Sequence, residues 1–141
     1  MLRLEKTVDR NGTVCYNEVN QKGGTTEMDN EPMRGDIYYA QIPNGTLHEQ
    51  AGNRPVVIIQ NNVGNKFSPT TIVAPLTSKR KKINLPTHFL IRANSENGLR
   101  TDSVALLEQI RTISKDSLAG KIGKIDPSII EPALKVSLGL N

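Results

Sequence analysis

Two short aliphatic runs constrain the fold of this chain more than any other feature. Residues 56–59 are Val-Val-Ile-Ile, and residues 72–76 form a second run that only Pro75 interrupts. Turn-forming residues flank both runs, which favours buried strands. Arg54 precedes the first run and Thr77 closes the second. A guanidinium and a hydroxyl at the end of a strand pair can hold a phosphate, because arginine is a planar fork of donors that stays charged.

The other segments predict a mainly β fold with short helices, built as a small, strongly curved antiparallel sheet or barrel. Besides residues 54–60 and 70–77, the strand-like segments are residues 36–42, 86–92, most of 103–114 with a bend near Glu108-Gln109, and 121–125. Short helical turns are expected at residues 61–67 and 115–120, the latter ending at Gly120. Pro75 predicts an edge strand or a bulge.

The last segment predicts a C-terminal helix. Asp126 is suited to cap it and Pro127 to occupy its first position. Apolar residues then recur every four positions, at Ile130, Leu134 and Leu138, as on a helix face that packs against a core or a partner. Pro132 removes an amide donor within this segment, so the helix either kinks there or begins there.

The domain organisation is expected to be an N-terminal extension, residues 1–33, followed by one domain, residues 34–141. In the extension, Asn11-Gly12 favours a two-residue hairpin turn, and polar residues 19–31 favour a flexible linker. An alternative is that Met33 is the natural start. The extension has four basic and six acidic residues, leaving 14 basic and 8 acidic in the rest. A basic body suits nucleic-acid binding, but many ordinary domains are equally basic.

Several classes of chemistry have no motif in this sequence. Cys15 is the single cysteine, and His48 and His88 are forty residues apart, so we expect no metal site and no cofactor. Phosphate-binding and dinucleotide glycine motifs and the Gly-x-Ser-x-Gly elbow are absent from the sequence. No apolar run approaches the roughly 18 residues of a membrane span, and no signal-peptide pattern occurs, so a cytoplasmic location is expected.

RNA is a substrate that can be cleaved with the groups that remain, namely Arg, Thr, Glu and Gln side chains without a metal ion. Its own 2′-hydroxyl can attack the adjacent phosphorus, so the protein need supply only alignment, charge stabilisation and proton transfer. Arg54 suits the charge, Thr77 can orient a phosphate oxygen, and Glu49 or His48 could move a proton. On the residues alone an alternative stays open, in which Arg54 pairs with a carboxylate and Thr77 only ends a strand.

Four ordered blocks of sequence resemble the MazF/PemK family of toxin endoribonucleases. They are residues 34–40 (Arg-Gly-Asp-Ile-Tyr-Tyr-Ala), 49–61 (Glu-Gln-x-Gly-x-Arg-Pro-Val-Val-Ile-Ile-Gln-Asn), 65–70 (Asn-Lys-Phe-Ser-Pro-Thr) and 107–113 (Leu-Glu-Gln-Ile-Arg-Thr-Ile). The resemblance covers residue 34 to about residue 140. It implies a small SH3-like barrel, a homodimer, and a cognate antitoxin of the MazE/PemI type whose acidic tail blocks the RNA groove.

The resemblance also implies an activity. Family members are mRNA interferases, which cleave single-stranded RNA at a short recognition sequence without metal and leave a 2′,3′-cyclic phosphate and a 5′-hydroxyl. The family's catalytic residues correspond to Arg54 and Thr77. Glu49 corresponds to a position for proton transfer or substrate positioning, and the RNA-binding positions correspond to Arg34, Ser78, Lys79 and Gln109.

Two other functions are kept as alternatives. One is a gyrase-poisoning toxin of the CcdB type, which resembles this fold and acts by binding a protein. The other is a non-catalytic relic that binds RNA or an antitoxin.

Overall fold

The chain has two compact units, Met1–Glu31 and Pro32–Asn141. The computed structural model describes the backbone of residues 2–8 and 14–20, together with Arg10 and residues 31–43, 52–79 and 85–141. In the first unit, β1 (Leu2–Val8) pairs antiparallel with β2 (Val14–Asn20). The predicted Asn11-Gly12 turn and residues 21–30 of the predicted linker lie outside the described residues.

The described part of the second unit contains a seven-stranded antiparallel sheet and two α-helices, which confirms the predicted mainly β fold. The strands are β3 (Asp36–Ile42), β4 (Gly52–Ile58), β5 (Thr70–Thr77), β6 (His88–Ile91), β7 (Ser103–Leu106), β8 (Arg111–Ser114) and β9 (Leu118–Lys124). The helices are α1 (Asn62–Phe67) and α2 (Glu131–Leu138). Strands run in the order β6-β7-β5-β4-β3-β9, and β8 also pairs with β5. Single 3₁₀ turns occupy Leu107–Gln109, Lys115–Ser117 and Pro127–Ile129.

Strand β5 lies inside the sheet and changes neighbour along its length. One side pairs with β4, from Val56 opposite Pro75 to Ile58 opposite Val73. On the other side β8 pairs with residues 70–73, and β7 pairs with Leu76 and Thr77. The prediction of an edge or a bulge at Pro75 is therefore wrong. Pro75 falls between the two successive partners, where a residue without an amide hydrogen is tolerated inside a sheet.

The sheet is buried on both faces around β4, which explains its run of four aliphatic residues. Val57 and Ile59 belong to one buried cluster, to which α2 contributes Ala133. Val56 and Ile58 belong to a second cluster. Because side chains alternate along a strand, burial of both faces requires continuous apolar sequence.

The C-terminal helix begins at Glu131, and Pro132 is its second residue. Asp126 Oδ1 accepts a hydrogen bond of 3.0 Å from the amide of Ser128 and so caps the 3₁₀ turn that precedes α2. Pro132 lies in the first turn of α2, where a missing amide hydrogen costs nothing. Of the predicted stripe, Ile130 is buried and Leu134 packs on the core, whereas Leu138 is 51% exposed. The stripe thus faces the core only over its first two members.

Gly120 does not end a helical turn, so that prediction is wrong. The 3₁₀ turn after β8 ends at Ser117, and Gly120 lies within β9, opposite Tyr39 of β3. Pairing with β3 overrides the local preference of glycine for a stop. The predicted strand at 54–60 is also displaced, because Gly52 and Asn53 already pair with β3.

A tight turn at residues 94–98 packs against β9 and is organised by Asn97, which is almost fully buried. The Asn97 side chain donates to the carbonyl of Arg92 and accepts from the amides of Asn94 and Leu99, at 2.8, 3.1 and 3.0 Å. Gly98 has a φ of +67°, and a Cβ at this position would overlap the carbonyl oxygen of Ile122. The turn therefore requires glycine both for its conformation and for its approach to β9.

Gly98→Ala is expected to destabilise the protein by at least about 2 kcal/mol, because left-handed strain and overpacking each cost on the order of 1–2 kcal/mol. The matched control is Gly120→Ala, since a Cβ on Gly120 meets no atom within 4 Å. Urea unfolding of both variants measures the difference. Equal free energies of unfolding for the two variants would contradict this account of the turn.

Polar side chains form hydrogen bonds between the start of β6 and the 3₁₀ turn after β7. Glu108 Oε1 lies 2.8 Å from His88 Nε2, and Glu108 Oε2 accepts from the Thr87 hydroxyl at 2.9 Å. Burial alone raises the pKa of Glu108, but hydrogen bonds from His88, a backbone amide and Thr87 outweigh it. The pKa of Glu108 therefore lies below its ordinary value of 4.5.

Because the folded state lowers the pKa of Glu108, its carboxylate stabilises the fold above the ordinary pKa, and this contribution is lost as pH falls through the folded pKa. Glu108→Gln is therefore expected to lower the free energy of unfolding most at neutral pH, and the gap to the unsubstituted chain is expected to narrow below about pH 4.5. Urea unfolding between neutral and acidic pH checks this, with the exposed Glu96→Gln as control. A gap that is constant with pH would refute the assignment.

Candidate active site

Arg54 and Thr77 lie at the same end of two paired strands. Val56 of β4 pairs with Pro75 of β5. Arg54 comes two residues before Val56, and Thr77 comes two residues after Pro75, so both lie on the same side of this pair. Two residues restore the same face of a strand, so the register places this pair in one row. Both residues line a single pocket of about 420 Å³. The expectation that a guanidinium and a hydroxyl share one end of the strand pair is confirmed.

The position and hydrogen bonding of the Thr77 hydroxyl are fixed by its surroundings. Thr77 is only 6% exposed, and it is fixed in the sheet by pairing with Val104 of β7. Its oxygen accepts a hydrogen bond of 3.2 Å from the backbone amide of Lys79. Since that oxygen is held as an acceptor, the hydroxyl hydrogen can be donated to a ligand in the pocket. Ser78 and Lys79 are exposed and form the rim beside it.

Arg54 contributes a charge that is partly removed from water. It pairs with Ala40 of β3 and is half-buried. Burial lowers the pKa of Arg54 from its ordinary value. A guanidinium nevertheless stays protonated at neutral pH, and its field acts more strongly where water is partly excluded.

The opposite wall of the pocket comes from residues that the sequence did not single out. The turn at 94–98 places Gly98 and the residues after it, including Arg100, along the pocket, and Tyr39 of β3 is also a lining residue. Among the described residues, Arg100 makes no ion pair or hydrogen bond. A cation directly after a glycine turn was the signal available for Arg100. Tyr39 gave no signal beyond its place in a strand.

The pocket is strongly cationic. Arg54, Lys79 and Arg100 line it, and no acidic residue does so within the described ranges. Hydroxyls of Thr77, Thr101 and Ser103 lie among the lining residues. Cations and hydroxyl donors suit a phosphate group.

Two predicted RNA-binding residues lie away from this pocket. Arg34 precedes β3, and its guanidinium is 3.1 Å from Glu131 Oε1 of α2. Arg54 is opposite Ala40, six residues further along the chain, so the two arginines lie towards opposite ends of β3. Gln109 lies in the 3₁₀ turn beyond the far end of β7. Glu49 and His48 fall outside the described residues.

Within the described ranges, no three or more His, Cys, Asp or Glu side chains are grouped so as to hold a metal ion. No helix there has the length and apolarity needed to cross a bilayer.

Comparison with known proteins places this arrangement in a family. The model of the "PemK-like, MazF-like toxin of type II toxin-antitoxin system" family matches residues 33–136. The chain is 48% identical to "Endoribonuclease EndoA" of Bacillus subtilis over 110 residues, which cover 76% of this chain and 94% of the relative.

Solved structures agree with the sequence comparison. An endoribonuclease in complex with its cognate antitoxin from Mycobacterial species matches with a TM-score of 0.62 and 26% identity, over 78% of this chain and 97% of that chain. MazF from Deinococcus radiodurans matches the fold with a TM-score of 0.64 at 19% identity, over 77% and 97% of the two chains. The predicted resemblance is thereby confirmed, and the chain belongs to the PemK-like, MazF-like toxins of type II toxin–antitoxin systems.

Proposed function

We propose that this protein is an endoribonuclease toxin, an mRNA interferase that cleaves single-stranded RNA at a short recognition sequence without a metal ion. The observation that carries the proposal is the row formed by Arg54 and Thr77 in a cationic pocket at the end of β4 and β5. Family membership and the endoribonuclease name of the 48% identical relative support it.

The proposed reaction uses a nucleophile that the RNA carries. The 2′-oxygen attacks the adjacent phosphorus and loses its proton to a base, while the bond from phosphorus to the 5′-oxygen breaks and the leaving oxygen takes up a proton. The products are a 2′,3′-cyclic phosphate and a 5′-hydroxyl. Because the nucleophile and the phosphorus belong to one molecule, the protein's task is alignment and charge stabilisation.

Each pocket residue has a proposed role in that reaction. Arg54 binds the non-bridging phosphate oxygens, whose negative charge grows as the phosphorane forms. Thr77 donates its hydroxyl hydrogen to one of these oxygens, since its own oxygen already accepts from the Lys79 amide. The Lys79 ammonium and the Ser78 hydroxyl contact the flanking phosphate at the rim.

Proton transfer and the outer contacts are assigned by correspondence with the family. Arg54 is a poor base because its guanidinium holds its proton, so we assign proton transfer or substrate positioning to Glu49, five residues earlier. Arg34 and Gln109, which lie outside the pocket, are assigned to RNA beyond the cleaved step. No cofactor is required by this scheme.

The same proposal includes a cognate antitoxin of the MazE/PemI type, whose acidic segment neutralises the toxin by covering the cationic pocket. A structural relative is described in complex with its cognate antitoxin. We further propose a homodimer, for which the exposed apolar side chains of Val136, Leu138 and Leu140 near the C-terminus offer surface. Messenger RNA as substrate places the toxin in the cytoplasm.

Incubation of the full chain with a defined pool of single-stranded RNA in excess EDTA tests the reaction. The expected result is cleavage at a recurring short sequence, with a 2′,3′-cyclic phosphate on one product and a 5′-hydroxyl on the other. Mapping of both ends measures this. Products with a 5′-phosphate, or cleavage that stops in EDTA, would reject the scheme. Inhibited gyrase supercoiling without RNA cleavage would instead favour a gyrase poison, and tight RNA binding without products would favour a relic.

Arg54→Ala and Thr77→Val are each expected to lower kcat by about 10²–10³-fold, the usual loss when one donor to a developing oxyanion is removed. Thr77→Ser is expected to retain most activity, because it keeps the hydroxyl. Arg92→Ala is the matched control, since Arg92 is 81% exposed and does not line the pocket. Single-turnover cleavage of a mapped oligonucleotide measures these rates, and unchanged cleavage by Arg54→Ala would remove Arg54 from the mechanism.

A further inference from the structure

A second cavity of about 440 Å³ adjoins the candidate active site. The two cavities share four lining residues, namely Tyr39, Gly98, Arg100 and Ile122. The second cavity extends over the outer strand of the sheet, where β9 contributes Gly120 and Lys121. A ligand bound at Arg54 and Thr77 can therefore continue into this second space without leaving the protein surface.

Tyr39 is the aromatic residue common to both cavities. It lies in the middle of β3, between Pro55 of β4 and Gly120 of β9, and is 39% exposed. Gly120 has no side chain, and a Cβ placed on it would meet no atom within 4 Å. The space on the β9 side of Tyr39 is thus left open by the sequence itself. An exposed aromatic ring beside an open space is the surface on which an unpaired base can stack.

The charges around this ring favour an anionic ligand. Arg100 is exposed and makes no ion pair among the described residues. Lys121 is half-exposed, and its ammonium forms an ion pair with Asp36 Oδ1 at 3.3 Å. Arg100 is therefore the stronger positive centre. No acidic residue of the described chain lines the cavity. An aromatic face next to a cation matches a nucleotide, which has a flat base and a phosphate.

The second cavity is poorly suited to anchoring an apolar peptide. Its apolar lining consists of Ile122, Ala119 and the tyrosine ring, and its remaining side chains are small or polar. Peptide-binding grooves rely on larger aliphatic pockets for anchor residues. The composition therefore favours RNA over a protein segment as the occupant.

We propose that this second cavity is a nucleotide subsite for the RNA substrate. The base of a nucleotide that flanks the cleaved step stacks on Tyr39, and Arg100, which lines both cavities, binds the phosphate between this nucleotide and the active site. The subsite rests on the proposed endoribonuclease function, and it adds Tyr39 and Arg100 to the residues that hold the substrate.

The test uses an RNA oligonucleotide that carries the mapped cleavage sequence, with a 2′-O-methyl group at the cleaved step so that it binds without reacting. A matched series lacks one flanking base at a time. Fluorescence anisotropy measures the Kd of each RNA for the full chain and for Tyr39→Ala, Tyr39→Phe and Gly120→Leu. Arg92→Ala controls for loss of surface charge.

Tyr39→Ala is expected to weaken binding of the intact oligonucleotide about tenfold, within the range measured for one stacked base, whereas Tyr39→Phe binds normally. At one flanking position, removal of the base is expected to abolish the difference between Tyr39→Ala and the unsubstituted chain. Gly120→Leu places a side chain in the cavity from a position where an added Cβ meets no atom within 4 Å, and it is expected to weaken binding to a similar extent.

Arg100→Gln supplies an independent arm of the test. Loss of one phosphate contact is expected to lower the slope of log affinity against log salt by about one unit, and Arg92→Ala is expected to leave it unchanged.

Normal RNA binding by Tyr39→Ala and Gly120→Leu would overturn the subsite, and so would a loss that is equal for every abasic RNA. Variants that bind RNA normally but lose the antitoxin would assign the cavity to the protein partner instead, and would overturn the proposal as well. If the unsubstituted chain cleaves no RNA, the endoribonuclease function fails and the subsite fails with it. Cleavage that persists with normal binding by the variants rejects the subsite alone.

Discussion

Strand β5 has three neighbours, and the site depends on that arrangement. It pairs with β4 on one side and with β8 and then β7 on the other, so the sheet must bend where the partner changes. Thr77 lies just after that change, next to β7, and Arg54 lies across from it on β4. The same bend brings the start of β7 and the turn before it towards Arg54. One strand thus connects the hydroxyl, the guanidinium and the opposite wall of the pocket.

Burial of both faces of the sheet gives these side chains a rigid base. Val56 and Val57 have no exposed surface, although they belong to different clusters, and Leu76 immediately before Thr77 is equally enclosed. Close-packed protein interiors resist small displacements of their side chains. Arg54 and Thr77 are therefore held in part by buried residues such as Val56 and Val57 that do not line the pocket, and substitutions in either cluster are expected to reach the pocket through the strands.

Sequence reasoning was most accurate where the information is local. Aliphatic runs located β4 and β5, and the residues that bound those runs, Arg54 and Thr77, were predicted to lie at one end of the strand pair without reference to tertiary structure. It failed at Pro75 and Gly120, because the tolerance of a sheet for either residue depends on which strands lie beside it. Arg100 and Tyr39 were missed for a related reason. They line the same cavities only because Asn97 and Gly98 pack a turn against β9, which no short stretch of sequence encodes.

The register of β4 against β5 restricts substitutions in these two strands more than in the segments that surround the pocket. A shift of one residue would turn Arg54 towards the opposite face and bring Val57 and Ala74 out of their cluster, so both the charge and the core would be lost together. New recognition sequences must therefore arise outside these strands, in the segments that surround the pocket. A toxin built in this way can acquire a new RNA target while Arg54 and Thr77 stay where the sheet places them.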